Sequence, residues 1–374
     1  MNSFQRRRHR LLRLIKDENL DAFLITNPLN VAYLTGFTGG ASFVIVTPNR
    51  VILVSDARFT IQIQEECPGL ETSIRGHNKT TWQLVAEVMG ELGLTEVGVE
   101  SQHLSMANFD MLKELAPEID FVAKKGLVES LRIIKDAPEI AAIREAISYG
   151  QRAFTMLQAM MSTHDTEKEL ADALDSYVRR AGGHGMGFET IVAIGDRSAL
   201  PHCPPSQRRL EEADFLLVDW GAKGPLYTSD LTRVLRSPFF PERKGRQRVE
   251  TKLRKIYTVV LQAQARAIAA VRPGVAAKDV DVACRTYIEE AGYGKNFNHG
   301  LGHGIGLQVH EAPDIRETSV DVLKEGMIFT LEPGIYLPGF GGVRIEDNIL
   351  VTADGCEVLS AGVAKDWEEA QLTI

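Results

Sequence analysis

A repeat constrains the fold of this chain more than any other feature. The stretch E-K-E-L-A-D-A-L-D-S-Y-V-R-R-A-G at 167–182 returns as A-K-D-V-D-V-A-C-R-T-Y-I-E-E-A-G at 277–292. At a constant spacing of 110 residues, Lys168, Ala173, Tyr177, Ala181 and Gly182 meet Lys278, Ala283, Tyr287, Ala291 and Gly292. Both copies have helical periodicity. Each is followed by two apolar runs around a glycine-containing turn, the pattern of a β-hairpin. The second half of the chain is therefore expected to fold as two related halves converging on an axis between them.

The hairpins carry acids. The first, F-L-L-V-D-W-G-A-K-G-P-L-Y-T-S-D-L-T-R-V-L, turns at A-K-G-P. Centred between Gly224 and Pro225, it sets Asp219 directly opposite Asp230. The second, I-F-T-L-E-P-G-I-Y-L-P-G-F-G-G-V-R-I-E-D-N-I-L-V, is centred on Gly339 and sets Glu332 opposite Glu346. Opposed like charges destabilise a sheet, and carboxylates embedded in apolar strands are costly unless neutralised. A cation between the members of each pair removes both penalties.

A histidine precedes each hairpin, His202 in L-P-H-C and His310 in V-H-E. The stretch H-G-L-G-H-G-I-G-L-Q-V-H-E at 299–311 also contains His299 and His303. His303 has no counterpart in the first copy and reads as an extra ligand. Four carboxylates and one imidazole suit two divalent ions of the manganese, cobalt, iron or zinc type, because calcium and magnesium sites rarely use histidine. Two such ions about 3.5–4 Å apart activate water and clamp both sides of a tetrahedral intermediate. The glycines of this stretch lack the G-x-G-x-x-G order of a dinucleotide loop and read instead as places where backbone approaches closely.

The 374 residues suit two domains. Residues 1–132 alternate strand-like and helical patterns, with a hairpin at T-P-N-R and a strand at E-V-G-V-E, which marks an α/β domain. The boundary falls at I-I-K-D-A-P-E, where Asp136 can cap a helix with Pro138 in its first turn and Glu139 three residues on. Residues 133–374 form the second domain. A net charge of −8 excludes nucleic acid as the main ligand. No apolar run approaches the roughly 18 residues of a membrane span. The Arg-rich start reads as an amphipathic first helix and not as a transit peptide. Four well-separated cysteines exclude a disulfide framework and a thiolate zinc site, and make a reducing cytoplasm the default compartment.

Together A-L-P-H, L-L-V-D-W-G-A, T-S-D-L-T-R-V, N-H-G-L-G-H-G-I-G-L-Q-V-H-E-A-P, T-L-E-P-G-I-Y and G-G-V-R-I-E-D resemble the creatinase, aminopeptidase P and prolidase family of "pita-bread" metallopeptidases. N-P-L-N-V-A-Y-L-T-G-F and V-S-D-A-R-F resemble the small N-terminal α/β domain of its aminopeptidase P and prolidase branch. The resemblance implies that this domain is followed by a pseudo-twofold pita-bread catalytic domain. It implies that Asp219, Asp230, His303, Glu332 and Glu346 hold two divalent ions, manganese first, with Asp230 and Glu346 touching both. His202 and His310 match active-site histidines that orient substrate and stabilise an oxyanion. His299 matches a histidine lining the proline pocket, and Arg344 an arginine beside the metals. Two positions depart from the family, Leu301 where Thr is frequent and Asn298 where Gly is frequent.

The implied substrates are peptides with proline in the second position, with Glu332 managing the proton of the attacking water. No residue in the sequence is marked as binding the free carboxylate that a dipeptidase requires, so the main expectation is an Xaa-Pro aminopeptidase. The alternative is an Xaa-Pro dipeptidase. A catalytically retired binding protein is the alternative of another class, and the intact set of five ligand positions opposes it. The resemblance implies an oligomer, since members of the family are commonly dimers or tetramers, and a homodimer is the expectation.

Overall fold

The protein is represented by a computed structural model that describes residues 2–237 and 246–372. The chain divides into two compact units, Met1–Arg132 and Ile133–Ile374.

The first unit alternates helices and strands: α1 (Ser3–Asp17), β1 (Ala22–Ile25), α2 (Pro28–Thr35), β2 (Phe43–Val46), β3 (Val51–Asp56), α3 (Thr60–Glu66), β4 (Glu71–Arg75), α4 (Thr81–Glu91), β5 (Glu96–Glu100), α5 (Met106–Leu115), β6 (Asp120–Lys124) and α6 (Glu129–Arg132). The strands form one sheet in the order β4-β3-β2-β1-β5-β6. Only β2 runs antiparallel to its neighbours. The T-P-N-R turn closes the β2–β3 hairpin, with Thr47 N donating to Arg50 O at 2.9 Å. The amphipathic α1 buries Leu11 and Ile15.

The second unit begins with α7 (Ala137–Met160) and α8 (Glu167–Arg180). Asp136 caps α7 by accepting from Glu139 N at 3.1 Å, and Glu139 Oε2 accepts from Asp136 N at 2.9 Å. There follow β7 (Gly185–Met186), β8 (Ile191–Ile194), β9 (Phe215–Trp220), β10 (Ala222–Lys223) and β11 (Leu231–Arg236). The pattern then starts again with α9 (Arg246–Ala270) and α10 (Ala277–Glu290). Its strands are β12 (Gly302–Gly304), β13 (Glu311–Ile315), β14 (Ile328–Leu331), β15 (Gly334–Leu337), β16 (Gly341–Arg344), β17 (Asp347–Val351) and β18 (Cys356–Val358). Helices α8 and α10 are both 14 residues long and start and end 110 residues apart. Gly182 and Gly292, just beyond the helices, have φ of +107° and +87°, left-handed conformations that a side chain would strain.

Two sheets dominate this unit, ordered β11-β9-β8 and β13-β12-β14-β17-β18. Strand β9 is buried along its whole length. Phe215 and Leu217 pack with residues of α9 and α10, whereas Leu216, Val218 and Trp220 pack with residues of α7 and α8. This alternation places the strand between the two helix pairs, and it explains why F-L-L-V-D-W is apolar on both faces. The fold is α/β, a small N-terminal domain followed by a duplicated one. Among the described residues, no helix is long and apolar enough to cross a membrane.

Candidate metal centre

The strand registers decide where the acids lie. In the second hairpin, Leu331 pairs with Asp347 and Gly334 pairs with Arg344. Glu332 and Glu346 occupy the gap between these paired segments, at the register that centring on Gly339 sets. The ladder is diverted there: Glu332 N donates to Leu301 O at 2.8 Å and Glu346 N to Thr232 O at 3.2 Å. Both acids are thus tied to other parts of the unit.

The first hairpin differs from expectation. Thr232, not Asp230, lies opposite Asp219. Gly224 N donates to Tyr227 O at 2.8 Å, so the turn is G-P-L-Y and its centre falls between Pro225 and Leu226. Proline presets φ for the second position of a turn, which moves the centre one residue along the chain. The shifted turn keeps the two acids on one side. Side chains two apart on a strand share a face, and opposed residues do also. Asp230 therefore sits diagonal to Asp219 on the same face.

Ligand-capable atoms of Asp230, His303 and Glu346 all lie within 4.8 Å of one another. His303 Nε2 is 3.6 Å from Asp230 Oδ2 and 3.5 Å from Glu332 Oε1, too far for hydrogen bonds. His303 Nδ1 is 3.1 Å from Gly304 O. A carbonyl only accepts, so Nδ1 carries the hydrogen and Nε2 presents its lone pair, the state of a metal-ligating imidazole. The bare backbone around His303 has a steric cause. A Cβ at Gly302 would fall 1.9 Å from Thr330 O, and one at Gly304 would fall 2.1 Å from Ala312 O. Strand β12 is held between β13 and β14 too closely for side chains at these two positions.

Arg344 is the hub of the other wall and is 3% exposed. Its Nη2 lies 2.5 Å from Asp219 Oδ2, its Nη1 donates to Tyr336 Oη at 2.8 Å, and its Nε donates to Thr232 Oγ1 at 3.1 Å. Thr232 Oγ1 in turn donates to Glu346 Oε2 at 2.7 Å. His299 Nδ1 is 2.7 Å from Gly300 O, so its Nε2 accepts from Tyr336 Oη at 2.9 Å. One guanidinium thus reaches Asp219 directly, Glu346 through Thr232 and His299 through Tyr336. Sequence reasoning missed Thr232 and Tyr336. Thr232 stands two residues after Asp230, and that spacing was a usable signal for a shared face.

Burial, then the charges of Glu346, Asp219 and Glu332, raises the Asp230 carboxyl well above the usual range. Burial, with Glu332 and Asp219, does the same to Glu346. Burial pushes Glu332 up to about 8, with Arg344 opposing and Asp219 assisting. Burial pulls His303 and His299 down to about 4, and lowers His310. Asp219 Oδ1 is buried and has no hydrogen-bond partner. Crowded, desolvated carboxylates either take protons or bind cations. An orphaned carboxylate oxygen and a bare imidazole nitrogen among them form a donor set that fits divalent ions of mixed nitrogen and oxygen preference.

Every site residue singled out in the sequence lines one cavity of about 520 Å³. Residues 141–353 match the model of metallopeptidase family M24, and residues 7–134 match the creatinase/prolidase N-terminal domain. The chain belongs to metallopeptidase family M24. This M24 metallopeptidase is 36% identical over 360 residues to an Xaa-Pro dipeptidase of Pyrococcus furiosus, covering 94% of this chain and 98% of that one. It superposes on an Xaa-Pro dipeptidase from Bacillus anthracis with a TM-score of 0.90 at 36% identity, over 97% of this chain and 99% of the other. An X-Pro aminopeptidase from Thermotoga maritima MSB8 gives 0.87 at 34% identity, over 96% and 99%.

The cavity of this M24 metallopeptidase is also lined by Phe188, Ile191 and Pro201, which add apolar wall, and by a second arginine, Arg316. Arg316 Nη2 lies 2.5 Å from Asp314 Oδ2, and the two side chains are 56% and 50% exposed. Unlike Arg344, Arg316 is reached by solvent.

Proposed function

We propose that the chain is a dinuclear Xaa-Pro dipeptidase, a prolidase. The observation that carries this reading is the convergence of Asp219, Asp230, Glu332, Glu346 and His303 on the wall of one cavity. In this reading the five side chains would hold two divalent ions, manganese first. When bound, the ions supply Lewis-acid polarisation of the scissile carbonyl and an acidified water. The remaining work belongs to side chains. Glu332 takes the proton of the attacking water and returns it to the departing proline nitrogen. His310 and His202 donate to the oxygen on which charge develops. His299, held neutral between Gly300 O and Tyr336, borders the proline ring. Arg344 keeps Asp219 and Glu346 at their stations. An Xaa-Pro bond lacks an N–H, so recognition rests on shape and on the carbonyl instead of a backbone hydrogen bond.

The dipeptidase reading replaces the aminopeptidase expectation drawn from sequence. Full-length similarity to proteins named Xaa-Pro dipeptidases supports it. Arg316 supports it further, because a solvent-reached guanidinium on the cavity wall suits a free carboxylate after proline. The likeness to the Thermotoga maritima X-Pro aminopeptidase favours the second reading. Turnover of Xaa-Pro dipeptides against Xaa-Pro-Pro tripeptides, in manganese-loaded protein, separates the two. A dipeptidase prefers the dipeptide and loses at least about tenfold in kcat/KM when its carboxylate is amidated, roughly the worth of one charge-assisted hydrogen bond. Faster turnover of the tripeptide, unaffected by amidation, establishes the aminopeptidase instead. A homodimer in the cytoplasm is part of the proposal, and sedimentation of the purified protein tests the dimer.

A further inference from the structure

We propose that Lys135 is a positioning residue for the loop that carries His303 and His310, acting through Glu311. The inference deepens the peptidase reading and rests on it.

His303 and His310 stack edge to face with ring centroids 4.3 Å apart. The turn between them is tight. Gly306 N donates to Gln308 O at 3.0 Å, while Gly306 O accepts from Thr228 N at 2.9 Å and from Thr228 Oγ1 at 3.2 Å. The Glu311 carboxylate is folded back beneath this turn. Its Oε1 accepts from Gln308 N at 3.0 Å. A Cβ built at Gly306 would fall 2.6 Å from its Oε2. That same Oε2 lies 3.3 Å from Lys135 Nζ, and the Lys135 and Glu311 side chains are 0% and 6% exposed.

Lys135 is anchored at its other end. Its backbone N donates to Gly326 O at 2.8 Å, and Ile134 forms a bridge with Met327. Met327 leads directly into β14, whose end delivers Glu332. The Lys135–Glu311 pair therefore ties the histidine loop to the backbone frame that carries Glu332. A buried pair of this kind adds little net stability over an apolar pair of the same size, whereas removing one partner strands a charge. Its effect is geometric: it sets how the turn, and with it the His310 ring, stands relative to the carboxylates.

Two variants test this in the full chain. The double variant Lys135→Met/Glu311→Gln removes both charges of the pair together. Gly306→Ala keeps both charges and pushes the Glu311 carboxylate, the movable end of a flexible side chain, off its seat. The thermal midpoint, manganese stoichiometry, kcat and KM on an Xaa-Pro dipeptide are measured for each. The ring signals of His310 are followed by NMR in zinc-loaded protein labelled at its nine histidines. Both variants are expected to fold and keep their metal, to lose about tenfold to hundredfold in kcat, the scale of an ångström-level misplacement, and to shift the His310 signals. A folded variant with wild-type kcat, a loss confined to KM, or unmoved His310 signals overturns the inference. So does failure of both variants to fold, which would make the pair a plain element of stability. If the wild-type protein cleaves no Xaa-Pro substrate, the functional reading fails, and the His310 signals still decide the positioning role.

Discussion

Arg344 and Asp219 form a buried pair, with Nη2 and Oδ2 2.5 Å apart and side chains 4% and 12% exposed. The same guanidinium holds Thr232 and Tyr336, so its planar fork, and not its charge alone, organises the wall. Arg344→Lys keeps the charge and loses the fork. The variant is expected to keep its fold and to lose about 10²-fold in kcat/KM, the scale of a removed transition-state support. Steady-state kinetics on a dipeptide, with metal content measured alongside, checks this. Activity within threefold of wild type would show that a point charge suffices.

Asp230 is one of the five side chains that would hold the ions. Asp230→Asn retains the shape of the side chain and removes a ligand charge. Manganese stoichiometry and turnover should fall together, with the circular-dichroism spectrum preserved. A variant that binds two ions as tightly as wild type would exclude Asp230 as a ligand.

Chelation should reveal a pH dependence of stability. In the metal-free fold burial pushes Glu332 up to about 8 and raises Asp230 and Glu346 well above their ordinary values. Unfolded glutamate titrates near about 4.3. Between those values the folded protein holds more protons than the unfolded one, so stability falls as pH rises. The chelated protein should lose thermal midpoint steadily from about pH 5 to about pH 8 by this linkage. Saturating manganese should abolish or reverse that slope. A midpoint in EDTA that does not change across the window would contradict a proton-holding acid cluster.

Asp347, the first residue of β17, directly follows Glu346. Its carboxylate lies 2.8 Å from Arg233 Nη2 and 2.5 Å from Lys365 Nζ, and Arg233 Nη1 donates to Glu346 O at 2.6 Å. Burial opposes its ionisation, but Arg233 and Lys365 outweigh burial and hold it below the usual carboxylate range. Asp347→Asn leaves the buried Arg233 under-compensated and should cost about 3–5 kcal/mol. Urea denaturation of metal-free protein measures this directly, and a loss below about 1 kcal/mol would mean that the backbone carbonyls around Arg233 suffice.

Much of this molecule could be read before any coordinate. The 110-residue spacing reappears as two helices of equal length, because amphipathic periodicity and a glycine stop are local properties of sequence. The Asp136 cap and the T-P-N-R hairpin are local in the same way. So is the centring on Gly339, whose φ of +74° favours glycine. The first hairpin was misread by one residue through a neglected local rule, the preference of Pro225 for the second turn position. Its site survived because strand faces repeat with a period of two.

What the sequence by itself determined, then, was which residue types lie on which face of which element, since hydrophobic period and turn chemistry act over a few residues. Tertiary structure alone decided who meets whom. Arg344 finds Thr232 across 112 positions, and Lys135 finds Glu311 across 176. No local pattern marks these partners. They are set by how two helix pairs and their sheets pack, and the pKa values of the acids follow from the burial that this packing creates.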